Sequence, residues 1–175
     1  MKKIILAFGI VLLSALSVHA ADMKIGYVDL NKALNESDEG KKAVKTLEEI
    51  FKSKQAVLDE KRMELNKLNE ELQKQSSVLN QDVLKEKVEE RDKLGKDYQR
   101  MVKDAEDEVE KKRADFMDRI LKDLSEIIKK TGEEDGYTVI FEKVQSGIMY
   151  IPEKLDITDK VIKKYNEASK KANKK

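Results

Sequence analysis

The sequence predicts an α+β protein that is mostly α: a small β body, closed only in an oligomer, with one long antiparallel helical-hairpin arm per chain. Three observations predict it. From residue 41 to 131 the chain has no proline and a single glycine, and it is dense in Lys and Glu with apolar residues at helical spacing. Short strand-like segments flank this stretch, at residues 23–30 and 137–142. The composition is 41% charged and 39% hydrophobic, which suits either long exposed helices or disorder, and the periodicity decides for helices.

Residues 1–20 read as a cleaved signal peptide. Lys2 and Lys3 form the positive region, residues 4–16 the apolar region, and Val18-His19-Ala20 the groups a signal peptidase reads. Cleavage is expected between Ala20 and Ala21. The apolar run falls short of the ~20 residues that span a bilayer. The only histidine, His19, leaves with the signal, and the chain has no Cys and no Trp. That excludes zinc sites built on Cys and His, His-based triads and Cys nucleophiles. No disulfide supports the exported fold.

The first strand carries Ile25, Tyr27, Val28 and Leu30. Asp29 or Asn31 caps a short helix around residues 32–35, and a polar break leads to a long helix starting near Asp38. On the outgoing helix Leu58, Leu65, Leu72 and Leu79 recur every seven residues, with Leu68 at a d-like position, which makes a narrow coiled-coil seam. Lys61 and Gln75 weaken it. Residues 75–82 interrupt the charge pattern and read as the hairpin turn, with Asn80 or Asp82 capping the return helix. Reflecting the chain about residue 79 brings Leu72 near Leu84 and Val88, Leu58 near Tyr98 and Met101, and Phe51 near Ala105 and Val109. About 35 residues at 1.5 Å rise make an arm on the order of 50 Å long. Gly95 reads as a tolerated helix residue.

Lys129-Lys130-Thr131-Gly132 is expected to end the return helix, with Gly132 at the left-handed cap position. Residues 137–142 and 148–151 then predict a β-hairpin around Gly147, ended by Pro152. Thr158 is the expected N-cap of a last helix whose apolar face is Val161, Ile162 and Tyr165. The domain reading is thus a body of residues 21–40 and 132–175, and an arm of residues 41–131 with its turn near 76–82.

Three short strands cannot close a sheet, and open strand edges call for a partner. A ring of identical chains closes the sheet and points the arms one way. Ile25, Tyr27, Val28, Val139, Phe141, Ile148 and Tyr150 are the candidate sheet core and subunit interface.

In its order of motifs the chain resembles the Skp, or OmpH-like, family of periplasmic chaperones. The carrying residues are Ile25-Gly26-Tyr27-Val28-Asp29 with Gly40 after a short helix, then Tyr137-Thr138-Val139-Ile140-Phe141 followed by Gly147-Ile148-Met149-Tyr150, and last Leu155-Asp156-Ile157-Thr158-Asp159-Lys160-Val161-Ile162. The resemblance implies a periplasmic homotrimer with a β-barrel-like body and three arms around a cavity. It further implies an ATP-independent holdase for unfolded outer-membrane β-barrel proteins. One departure concerns charge. Removing Lys2 and Lys3 takes Lys plus Arg from 36 to 34 against 35 acids, whereas the best-known members are strongly basic. Near neutrality weighs against lipopolysaccharide or membrane-surface contact, and the intermixed charges against nucleic acid.

No enzyme motif is present; Walker-type glycine spacing is absent and no cofactor is expected. The candidate client contacts are Val57, Met63, Val78, Leu79, Val83, Leu84, Met101 and Val102, many weak contacts acting together. Most of these positions also fit the hairpin seam, and the least paired are Val78, Leu79 and Val83 at the tip. A structural coiled-coil spacer of the envelope, binding one folded partner through its arm, is the other reading open at this point.

Overall fold

The computed structural model describes residues 23–172; the expected signal peptide and its cleavage site at Ala20 and Ala21 lie outside them. Along the chain come β1 (Ile25–Val28), α1 (Leu30–Glu36), α2 (Asp38–Gln75), α3 (Gln81–Asp135), β2 (Val139–Glu142), a 3-10 turn (Glu153–Leu155) and α4 (Thr158–Ala172). The class is α+β and mostly α, as the periodicity predicts.

Local chemistry sets the junctions. Asp29 Oδ1 accepts from the Lys32 amide at 2.9 Å and starts α1. Ser37 ends α1 and caps α2: its Oγ accepts from the Gly40 amide at 3.1 Å and donates to the Leu34 carbonyl at 3.2 Å. Asp38 and Glu39 then occupy the positive end of the α2 dipole. The two helices meet so closely that a Cβ at position 40 would lie 1.7 Å from the Leu34 carbonyl oxygen.

The arm is an antiparallel pair, α2 out and α3 back. Leu68 and Leu72 are buried between the helices, and Leu58, Leu65 and Leu79 are half-buried. Ion pairs cross from helix to helix: Lys54 to Glu108 at 2.6 Å, Glu71 to Lys87 at 3.2 Å and Glu39 to Arg119 at 3.7 Å. Each pair straddles residues 79–81 almost symmetrically, the register the reflected seams predict. Asn80 Oδ1 accepts from the Val83 amide at 2.9 Å and starts α3. Around Gly95 an added Cβ would meet nothing within 4 Å.

The return helix ends later than expected. It runs a turn past Gly132 to Asp135, and Gly136, at φ 70°, takes the left-handed cap. Glu133, Glu134 and Asp135 are poor residues for the negative end of a helix dipole. Cations from elsewhere in the fold offset that: Lys164 reaches Glu134 at 2.9 Å, Lys160 reaches Asp135 at 3.1 Å, and Lys24 Nζ donates to the Asp135 carbonyl at 2.7 Å.

β1 and β2 pair in parallel, Ile25 opposite Val139 through Val28 opposite Glu142. Parallel strands need a long crossover, and here the whole arm is that connection. On the other edge of β1 the Ile157 amide donates to the Tyr27 carbonyl at 3.0 Å. The expected hairpin of residues 137–142 with 148–151 does not form. After Glu142 the Lys143 amide bonds the Val28 carbonyl at 2.9 Å and Lys143 Nζ reaches Asp29 at 3.2 Å. These bonds carry the chain along β1, not back along the far edge of β2. Residues 148–151 therefore have no strand pairing among the described residues. Ile148 is 36% exposed and Tyr150 80%, so within a single chain neither is part of the buried core, and both are free to meet a neighbouring subunit.

The core lies where β1, α3 and α4 meet. Val28, Ile120, Leu124, Val161 and Tyr165 are all at most 2% exposed, each a side chain whose burial is worth about 1.5–3 kcal/mol. α4 begins as expected, but Asp156 supplies the capping oxygen, accepting from the Thr158 amide at 2.8 Å. The Thr158 hydroxyl instead accepts from the Asp29 amide at 2.9 Å, tying α4 to β1. Tyr165 donates to Asp123 at 3.3 Å. Burial, helped by the Asp123 charge, pushes its phenol up to about 12.

Candidate functional site

Two surfaces stand out, one on the arm and one on the body. On the arm the eight candidate contact residues divide. Val57, Met63 and Val78 are 44%, 64% and 78% exposed. Leu79, Val83, Leu84, Met101 and Val102 are half-buried along the seam or near the tip. The structure therefore spreads them along the arm and does not gather them into one patch.

What it does gather is a groove at mid-arm that the seam spacing alone does not single out. α2 contributes Phe51 and Leu58, and α3 contributes Tyr98, Val102, Ala105 and Val109, around a volume of about 360 Å³. The register is the predicted one, with Phe51 opposite Ala105 and Val109. The seam stays open there because Ala105 is too small to fill the space facing a phenylalanine, and Phe51 remains 58% exposed. A large aromatic set against alanine in the reflected sequence was the available signal. At the rim Lys54 bonds Glu108 across the helices at 2.6 Å, and this contact holds the Glu108 carboxyl below its ordinary value. Glu106 and Glu110, also at the rim, make no ion pair among the described residues.

On the body, the hydrogen bonds of β2 to β1 leave the backbone groups of Ile140 and Glu142 on the opposite edge. The segment that follows β2 displays Val144 at 63%, Met149 at 98% and Tyr150 at 80% exposure. Among the candidate interface residues, Tyr27 and Val28 are buried, while Ile25, Val139 and Phe141 are half-buried. An open sheet edge and exposed apolar side chains are both surfaces that a neighbouring subunit would cover.

The sequence profile of the family described as outer membrane protein (OmpH-like) matches residues 24–165, nearly all of what the structure describes. The chain belongs to the OmpH-like family. A solved structure from Caulobacter crescentus CB15, described as a candidate outer membrane chaperone (OmpH-like), has the same fold: the TM-score is 0.77 at 20% identity, covering 83% of this chain and 85% of that one. No curated protein matches the chain. No helix among the described residues of this OmpH-like chain is long and apolar enough to cross a membrane.

Proposed function

We propose that this OmpH-like protein is an ATP-independent periplasmic holdase that keeps unfolded outer-membrane β-barrel proteins from aggregating. It works as a homotrimer, with the bodies joined through their open strand edges and the arms enclosing the client. The observation that carries the reading is a long charged arm with apolar side chains left uncovered along it, from Phe51 and Val57 through Met63 to Val78 at the tip. Such an arm offers many weak contacts and no closed pocket for a small substrate. Summed over three arms, weak contacts hold a chain that presents scattered apolar groups. Release follows when the client folds elsewhere. Membership of the OmpH-like family supports the chaperone role. Residues 1–20 supply the export signal in this reading, the arm of residues 41–131 the client surface, and residues 21–40 with 132–175 the assembly body.

The test is light scattering of an outer-membrane porin diluted from urea, with the protein and without ATP, alongside the protein's mass by multi-angle scattering. Suppressed scattering by a species of about three times the monomer mass is expected. Unchanged aggregation in the presence of a monomer or dimer would sink the proposal.

A further inference from the structure

The mid-arm groove has a chemistry more specific than a general apolar surface. Its floor is aliphatic, Leu58, Val102, Ala105 and Val109, and Phe51 and Tyr98 add two rings. Aromatic rings pair favourably with a third ring in offset or edge-on geometry. The one cation at the rim, Lys54, is already engaged by Glu108. That leaves Glu106 and Glu110 as the free charges, both exposed and four residues apart on one helix face, about 6 Å from each other. An occupant complementary to this groove is aromatic where it enters and positively charged beside the entry.

An extended chain meets that demand with a simple spacing. Its side chains alternate faces at about 3.3 Å per residue, so residues two apart lie on one face about 7 Å from each other. Transmembrane β-strands supply such segments where an aromatic girdle ends the apolar band, because the next residue on that face meets water and can carry charge. We infer that the groove is a subsite for one aromatic side chain of an unfolded β-barrel strand, with a Lys or Arg two residues away held by Glu106 or Glu110. The inference rests on the holdase reading and gives it a recognition element: an aromatic residue, any residue, then a basic one.

The experiment uses residues 21–175 with labelled methyl groups and an unstructured peptide carrying a single Phe-Ser-Lys in a Ser, Thr and Gly background. Methyl shifts at Val102, Ala105 and Val109 are expected on titration. Changing the peptide's Phe to Ala is expected to weaken binding about tenfold, and changing its Lys to Glu about threefold or more. Ala105→Leu fills the groove with a good helix former and is expected to abolish the shifts while helicity is kept. The peptide series on the unaltered protein decides the matter even if that variant folds poorly. Shifts that ignore the Phe to Ala change, or that centre on Val78 and Val83, overturn the inference. So do groove shifts that follow protein concentration without peptide, which would mean a second copy covers the groove. The porin assay separates the two claims: protection of porin with a silent groove removes the subsite and leaves the holdase, whereas a peptide-binding groove without protection does the reverse.

Discussion

At position 40 the backbone admits only a hydrogen. A methyl there would lie 1.7 Å from the Leu34 carbonyl oxygen and 3.0 Å from Ser37 Oγ, and neither can retreat, because Ser37 is fully buried and bonds both neighbouring turns. Gly40→Ala is expected to lower stability by about 1–3 kcal/mol, read as a drop in the urea midpoint. Gly95→Ala is the matched control. Nothing lies within 4 Å of that site, so the better helix former is expected to be neutral or to stabilise by up to about 1 kcal/mol. A Gly40→Ala midpoint equal to that of the parent would mean the α1 to α2 junction relaxes. Residues of this kind were legible when the signal was local. Asn80 and Asp29 cap where a side-chain oxygen is needed, whereas Gly40 entered only through the family resemblance. Gly136 was missed because Gly132 offers the same local signal. The distant Lys24, Lys160 and Lys164 make the extra acidic turn tolerable.

That acidic turn sets a pH dependence for α3 as an element. Lys164 holds the Glu134 carboxyl below its ordinary 4.5, and Lys160 holds Asp135 below its ordinary 3.8, in both cases chiefly by hydrogen bonding. A carboxyl depressed in the folded state stabilises fully above its unfolded value and loses that contribution as pH falls through the folded one. Lys164→Met is therefore expected to melt earlier than the parent at about pH 7, with the gap closing below about pH 4 as the acids protonate. A gap that stays constant to about pH 3 would assign the loss to packing of α4 and not to charge. The helices themselves were readable from heptads and from missing proline, and the seam register followed from reflection. The direction of the strand pairing was not, since residues 137–142 suit either partner. What decides for β1 is the bonding of Lys143 to Val28 and Asp29, residues 115 and 114 positions earlier.

For the whole molecule, the small body with open edges was legible as a shortage of strands, and a single chain indeed leaves Met149 98% exposed. Tyr150 tests whether copies of the chain cover this region. At 80% exposure it contributes little to its own subunit's core, so Tyr150→Asp is expected to shift the mass by multi-angle scattering toward the monomer while helical circular dichroism is preserved. Full assembly of that variant would move the interface away from residues 148–151. The mid-arm groove was harder to read for a different reason. Periodicity shows which residues face a seam, but whether the seam closes depends on the volumes that meet there, as with Phe51 and Ala105. The parallel pairing of β1 with β2 has one more consequence. The polypeptide leaves β1 at Val28 and must come back at Val139 beside Ile25, the start of that strand, travelling the same way. Insertions or deletions in the arm preserve that return only when they are mirrored about the turn at residues 76–80. Reach can thus vary between descendants of this chain only through paired changes in α2 and α3, while the body is inherited unaltered.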